Sequence, residues 1–400
     1  MERIDKKTLI SDYAVEMLRP PKGKSGVVFL SGGSALAEVS EHLSLYKIPS
    51  VHLITPFDSG GSSRLLRSAF EMPAVGDIRN RMLSLCRIDL VGHALPELCS
   101  LRFDSTGPEY ELRNKLKSLY KGEHAMMIRL DAEQRRQVCF LLKLFFEHIP
   151  DGFSLRGASV GNLLLVGAYI SSGCDLYTAV EAVAKLLQVE GTVLPVTDAS
   201  LHLAGRFENG DVLVGQHLIT GKEVPGPESA IEEIYLTPAW PGTDATPRKR
   251  NPEVASQVTA LIRQASCICY PMGSFYTSLI ANLLPRGVGK AIDKAQCYKV
   301  YIPSAGVDPE TQGLSVADQV ERLLWYLRQD AGENTPTGNL LTHVFYDSEV
   351  EYSGGVEAER ILNLGVELVD MDLLYPNYST THYEPYLFLH ALADLLAVEG

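Results

Sequence analysis

Positive charge is scarce in this 400-residue chain, where 36 Lys and Arg face 49 Asp and Glu for a formal net charge of −13. That balance excludes a broad electrostatic footprint for nucleic acid or for an anionic membrane surface. Cysteine is sparse as well. Seven residues, an odd number without framework spacing, do not read as a disulfide scaffold, and Cys267 and Cys269 at i, i+2 read as packing residues on one face of a strand. Long apolar runs are missing too. The longest, around Leu163 to Ile170, falls well short of the roughly 18 residues a membrane-spanning helix needs. The Met-Glu-Arg-Ile-Asp-Lys-Lys start has no apolar stretch of the secretory kind, so a cytoplasmic location is expected.

Several chemical motifs are absent. No Gly-Lys-Ser/Thr follows the first Gly-rich turn, which excludes a Walker loop, and the lack of Gly-x-Gly-x-x-Gly disfavours a dinucleotide-dependent dehydrogenase. The ten His show no i, i+4 pair around a Glu, and no Gly-x-Ser-x-Gly stands in the strand-to-helix setting of a nucleophile elbow. Zinc and serine-hydrolase chemistry therefore fall back. No repeat of solenoid length is visible. What is present is a globular composition, 46% hydrophobic and 21% charged.

The first clear strand, Gly26 to Leu30, runs into Ser31-Gly-Gly-Ser-Ala35 and then a helical pattern at Leu36, Val39 and Leu43. A second strand, Val51 to Thr55, ends at Pro56 and opens into Phe57-Asp-Ser-Gly-Gly-Ser-Ser-Arg64 before another helix. Two strand-to-loop-to-helix steps predict an α/β, Rossmann-like, doubly wound and mostly parallel sheet in a three-layer α/β/α arrangement, with ligands outside the carboxyl ends of the strands. Residues 1–24 read as an N-terminal extension and 25–330 as the α/β domain, with a helical insertion at about 88–150. Residues 331–400 read as a C-terminal α/β extension packed on the same domain. The alternation from Leu201 to Ile219 around Glu208-Asn-Gly-Asp211 predicts a small antiparallel hairpin, Asn-Gly being suited to a type I′ turn. Pro238 to Pro252 reads as a surface loop, and a helix is expected over Phe275 to Leu284 after the strand Cys267 to Tyr270.

Four polar stretches can carry chemistry, and each has a plain structural alternative. Gly32, Gly33 and Ser34 can present N–H groups and a hydroxyl to a phosphate, or can simply form a tight turn. Asp58, Gly60, Gly61, Ser62, Ser63 and Arg64 can meet a polar ligand from several sides, or form a solvated loop in which Asp58 caps the next helix. Asp77 can hold a divalent cation with Arg79 on a phosphate and Asn80 beside them, the alternative being a helix cap plus a surface ion pair. Asn162, at the start of an almost wholly apolar helix, can bind a ligand or tie neighbouring backbone together.

Taken together, Leu30-Ser-Gly-Gly-Ser34, Asp58-Ser-Gly-Gly-Ser-Ser63, Val75-Gly-Asp-Ile-Arg-Asn80, Ser159-Val-Gly-Asn-Leu163, Val193-Leu-Pro-Val-Thr-Asp198 and Gly273-Ser-Phe-Tyr-Thr-Ser278 resemble the CofD/YvcK family in order and spacing. The resemblance covers most of residues 25–330. It implies a Rossmann-like fold, a nucleoside-diphosphate-linked ligand at the strand ends, and a homodimer. One branch of that family transfers a phospholactyl-type group from a guanosine diphosphate carrier with Mg²⁺; the other binds UDP-sugars and regulates carbon metabolism and cell-wall synthesis.

On this resemblance Gly32, Gly33 and Ser34 fall in the first Gly-rich loop, and Asp58 matches the first of two adjacent Asp. Asp77 lies in the acidic loop where the transferase branch holds its metal, while Gly273, Ser274 and Thr277 belong to the loop that helps enclose the nucleotide. The departures are Ser59 for the second Asp, Ala35 for a Gly, Ala158 for a His, and Pro271-Met272 for Gly-Pro. The wording of the motifs is nearer the regulator branch. The expectation is a transferase that moves a phosphorylated group to an acceptor hydroxyl, with Asp77 and Asp58 as its catalytic carboxylates and Mg²⁺ at Asp77. A non-catalytic regulator that binds a nucleotide-sugar is the alternative.

Overall fold

A computed structural model describes residues 10–220, 229–242, 247–306, 308–374 and 382–398. Seven strands form one sheet: β1 (Val27–Ser31), β2 (Ser50–Ile54), β3 (Thr192–Pro195), and, after a smaller sheet, β7 (Cys267–Tyr270), β8 (Tyr298–Tyr301), β9 (His343–Tyr346) and β10 (Glu367–Asp370). Their order across the sheet is β10-β9-β8-β7-β1-β2-β3, and every pairing is parallel. β1, β2 and β7 are buried at every position, as expected of parallel strands covered by helices on both faces. The chain winds outward from β1 through β2 to β3, then returns beside β1 as β7 and winds the other way. That reversal opens a crevice at the carboxyl ends of β1 and β7, where doubly wound sheets bind their ligands.

Between β3 and β7 lies an antiparallel sheet of β4 (His202–Phe207), β5 (Val212–Val214) and β6 (Ile231–Thr237), in the order β5-β4-β6. The expected hairpin is present, but its turn is not type I′. Only Gly210 has a positive φ, +89°, and Gly210 N–H bonds to Phe207 O at 2.9 Å while Phe207 N–H bonds to Asp211 O at 2.9 Å. This is the three-residue loop in which a type I turn precedes a left-handed glycine, so Asn209 needs no unusual conformation. The loop read over Pro238 to Pro252 is partly covered, residues 243–246 lying outside the described ones.

The insertion between β2 and β3 is helical, with Glu109–Tyr120 and Ala132–His148 as its longest members. Asp131 and Gln134 close a capping box at the start of the second. The Val160–Ser171 helix packs so closely on it that a Cβ at Gly167 would lie 2.1 Å from Leu141 O. Beyond residue 330, β9 and β10 simply continue the main sheet. The Pro385–Ala397 helix then returns to the amino-terminal half, where Phe388 packs against Phe29 of β1 with ring centroids 6.5 Å apart.

The segment after β7 departs from the α-helix its sequence predicts. Phe275–Leu279 is π-helical and Ile280–Leu283 is 3₁₀. Leu279 N–H reaches back five residues to Ser274 O at 3.1 Å. The cause lies in two carboxylates: Asp308 accepts from Phe275 N–H at 2.9 Å, and Glu310 accepts from the N–H groups of Tyr276 and Thr277 at 2.8 and 2.9 Å. They pin the first turn and leave its pitch to widen, an arrangement found mostly at functional sites. No helix among the described residues is long and apolar enough to cross a membrane.

Candidate functional site

The turn after β1 has no room for side chains. A Cβ on Gly32 would lie 2.5 Å from Ser278 Oγ, and one on Gly33 would lie 2.3 Å from Asp77 Oδ1. Those two contacts bring together three stretches far apart in sequence. The second loop joins them, since a Cβ on Gly76 would lie 3.0 Å from Ser63 Oγ and 3.3 Å from Asp58 Oδ2. Asp58 itself accepts the N–H of Gly60 at 2.9 Å, which folds the loop into the start of the Gly61–Phe70 helix.

Asp77 stands in the first turn of the Gly76–Ser84 helix, yet Val75 is the N-cap and no side chain caps that end. The Asp77 carboxylate instead accepts the Gly33 N–H. Burial pushes its pKa up to about 7, and the neighbouring Asp58 carboxylate pushes the same way. Arg81, the Gly33 N–H and Arg79 oppose the rise without cancelling it.

Two buried arginines hold the loops from behind. Arg81 is fully buried and donates to Gly32 O at 3.0 Å, to Ser31 Oγ at 3.4 Å and to Ser40 Oγ. Burial lowers its pKa to about 10, against the pull of Asp77. Arg67 plays the same part for the second loop, donating to Asp58 O at 3.2 Å, to Phe57 O at 3.4 Å and to Leu201 O at 2.6 Å. Neither arginine was among the residues singled out in the sequence. The signal was there: Ser63, Leu66 and Arg67 share one buried helical face, as do Ile78, Arg81 and Met82, so a cation stands in each apolar stripe.

At the carboxyl ends of β1, β7 and β8 these loops surround a cavity of about 560 Å³ whose lining includes Gly32, Gly33, Ser34, Gly273, Ser274 and Ser278. Gly273, at φ +135°, donates its N–H to Ser304 Oγ at 2.9 Å, which fixes the far rim. Ser34 is exposed there. Asp77 sits directly behind Gly32 and Gly33, with Asp58 and Ser63 one step further along.

The other predicted residues are placed differently. Gly60, at the N-cap, and Gly61, Ser62 and Arg64, in the first turn of the Gly61–Phe70 helix, lie outside the cavity lining, and Arg64 is exposed. Arg79 is buried, not part of a surface ion pair, and its Cδ lies 2.8 Å from where a Cβ on Gly161 would be. Asn80 is half-buried on the same helix. Asn162 is buried with no hydrogen-bond partner for Oδ1 among the described residues. Thr277 is turned away from the cavity: its hydroxyl is buried and donates to Glu310 Oε1 at 2.5 Å. The adjacent Ser278 is the hydroxyl that meets the first loop.

Ser59 is buried, and its Oγ lies 2.8 Å from His217 Nδ1 in the short Gln216–Ile219 helix that follows β5. The segments flanking the small sheet thereby hold the second loop and its helix at two points, here and through Arg67 on Leu201 O. Among the described residues no three His, Cys, Asp or Glu side chains are grouped to hold a metal ion. Two carboxylates suit Mg²⁺, which commonly takes one or two and fills its octahedron with water and substrate phosphate oxygens. Asp58 and Asp77, close enough for one charge to raise the other's pKa, are the two carboxylates that could hold such a cation.

Curated relatives are similar over most of this length. A gluconeogenesis factor of Halalkalibacterium halodurans is 27% identical over 303 residues, covering 75% of this chain and 73% of its own. The gluconeogenesis factor of Bacillus subtilis is 28% identical over 301 residues, covering 75% and 74%. A crystal structure of a UPF0052 family protein from Bacillus halodurans superposes with a TM-score of 0.65 at 23% identity over 92% of this chain and 97% of that one, which establishes the shared fold. The family model described as 2-phospho-L-lactate transferase CofD matches residues 27–373, and the chain belongs to that family.

Proposed function

We propose that the chain binds a nucleoside-diphosphate-linked ligand across the β1–β7 crevice and transfers its distal phosphorylated group to an acceptor hydroxyl. The observation that carries this reading is the convergence of Gly32, Gly33 and Ser278 at one cavity rim, with Asp77 from a third stretch packed directly behind the two glycines. Glycines without room for a Cβ let the first loop pack on Ser278 and Asp77, and Ser34 and Ser274 add hydroxyls at the cavity rim where a pyrophosphate would sit.

In this reading the acceptor oxygen attacks the distal phosphorus, the bond from that phosphorus to the bridging oxygen breaks, and a nucleoside monophosphate leaves. The protein's part is to position the phosphates and offset their charge. Asp77 and Asp58 would hold Mg²⁺, which when bound supplies charge neutralisation at the pyrophosphate. Arg81 and Arg67 keep the two loops in place through their carbonyls.

A second reading, a regulator that binds a nucleotide-sugar without turning it over, is supported by one observation: the position of the second loop carboxylate is Ser59, and its hydroxyl is engaged by His217. The names of the relatives agree with it. Thermal-shift measurements with GDP, UDP and UDP-sugars, each with and without Mg²⁺, separate the two, because a ligand that binds only the folded state raises apparent stability. Mg²⁺-dependent stabilisation by a nucleoside diphosphate is expected for transfer, and metal-independent stabilisation by a UDP-sugar for regulation. No shift with any nucleotide would contradict both.

A further inference from the structure

Away from the crevice, and sharing no lining residue with it, lies another cavity of about 360 Å³. Its size is that of a small-molecule site. β6 forms one wall through Glu233 to Leu236, the Val316–Ala331 helix forms a second through Trp325 and Tyr326, and Leu283 and Leu284 form a third. Trp325 is 43% exposed, with its ring edge-on to Tyr326 at 4.7 Å between ring centroids. A large aromatic face is thus open to a ligand.

The chain carries a net charge of −13, yet this lining holds three cations, Lys249, Arg286 and Lys290, against two carboxylates. Both carboxylates are engaged. Glu233 is paired with Arg206 at 3.1 Å and with Lys249 at 2.5 Å, and Asp330 accepts the N–H groups of Gly287 and Lys290 at 2.8 and 3.0 Å. Lys249 is spent as well, between Glu233 and the Tyr235 ring, whose centroid is 5.2 Å from its Nζ. Arg286 and Lys290 are not. Among the described residues Arg286 meets only Glu253, at 3.9 Å with both side chains more than half exposed, a pairing worth little, and the Lys290 ammonium has no ion pair or hydrogen bond. The rest of the polar lining, Asn251 and Gln329, is neutral and exposed.

We propose that this cavity binds a small aromatic anion, its ring against Trp325 and its anionic group on Arg286 and Lys290. An aromatic face beside an uncommitted guanidinium and ammonium matches that chemistry on both counts. The proposal stands apart from the nucleotide reading and does not depend on it. The site adjoins the segment that carries the crevice rim: Asn282, one residue before Leu283, donates to Ser31 O at 3.0 Å and to Ser278 O at 2.9 Å.

Isothermal titration of the full chain with phenyl phosphate, inorganic phosphate and phenol tests it on wild type, on Trp325→Ala and on the double variant Arg286→Gln with Lys290→Gln. All three side chains are exposed, so the variants are expected to keep the fold, which thermal unfolding verifies. Phenyl phosphate is expected to bind wild type saturably at about millimolar concentration, the range open to so small a ligand, and about tenfold or more tightly than phosphate or phenol. The double variant should weaken it about tenfold or more, the scale of a hydrogen bond to a charged group, and Trp325→Ala should bring it down to the level of inorganic phosphate. Inorganic phosphate bound as tightly as phenyl phosphate, full affinity retained in either variant, or no saturable binding to wild type would each overturn the proposal. Light scattering that finds a wild-type dimer split by Trp325→Ala would overturn it too, by showing that a second copy of the chain covers this face.

Discussion

A Cβ on Gly33 would stand 2.3 Å from Oδ1 of Asp77 and 2.8 Å from its Cα, so the carboxylate of one motif occupies the space a side chain of another would need. Neither group can give way, because Asp77 is held by a helix and Gly33 by the end of β1. Gly33→Ala is therefore expected to destabilise by about 1–3 kcal/mol, the usual cost of overpacking, and to abolish stabilisation by nucleotides. Thermal unfolding with and without nucleotide checks both; an alanine variant that unfolds and binds like wild type would contradict this packing.

Asp77 predicts a pH dependence of definite sign. Its pKa rises from 3.8 unfolded to about 7 folded, so the folded state binds more protons between those values. Its contribution to stability is fully present below the lower value and is lost as pH rises through about 7. His202, lowered to about 3 by burial first and by Arg67 and Arg64 next, acts in the opposite sense and costs stability as pH falls below 6.5. Comparing wild type with Asp77→Asn isolates the first effect. The variant should be more stable than wild type at about pH 8, with the gain shrinking toward about pH 5, while Mg²⁺-dependent ligand binding is lost.

Thr277 offers a control. Its hydroxyl serves Glu310 and not the cavity, so Thr277→Val should lower stability by about 1.5–3 kcal/mol, as for a bond to a charged group, and leave nucleotide affinity unchanged. Denaturant unfolding and titration of the same variant decide between this fold-supporting role and a direct contact with ligand.

Much of the fold was legible because each local choice agrees with the architecture. Asp131 and Asp175 stand as the N-caps of the helices Ala132–His148 and Leu176–Leu186, and the apolar runs of β1, β2 and β7 declare buried parallel strands. β6 and β10 were not legible. β6 alternates only weakly and depends on β4 for its pairing, while the short β10 keeps polar ends on the sheet edge. The π-helical turn at Phe275 could not be read locally either, since the carboxylates that pin it come from residues 308 and 310. At the site, the glycine and hydroxyl motifs of the first and third loops fall at one cavity, while Gly60, Gly61 and Ser62 lie outside its lining. Of the two arginines singled out, Arg79 is buried and Arg64 is exposed, while Arg67, three residues on, turns inward.

Ser59 bears on the choice between transfer and regulation. Ser59→Asp places a second carboxylate beside Asp58 and opposite His217, and is expected to make nucleotide stabilisation more dependent on Mg²⁺. Ser59→Ala removes one hydrogen bond and should cost about 0.5–1.5 kcal/mol. Thermal shifts of both variants over a Mg²⁺ series check this; an unchanged metal dependence in Ser59→Asp would show that the loop carboxylates do not share a cation.

The most direct measurement is a crystal structure of the full chain with a bound nucleoside diphosphate. The pyrophosphate is predicted to rest against the first Gly-rich loop, with the Ser34 and Ser274 hydroxyls in hydrogen-bonding reach and Asp77, which takes the Gly33 N–H, directly behind. A nucleotide held at any other surface, with the β1–β7 crevice empty, would contradict the account.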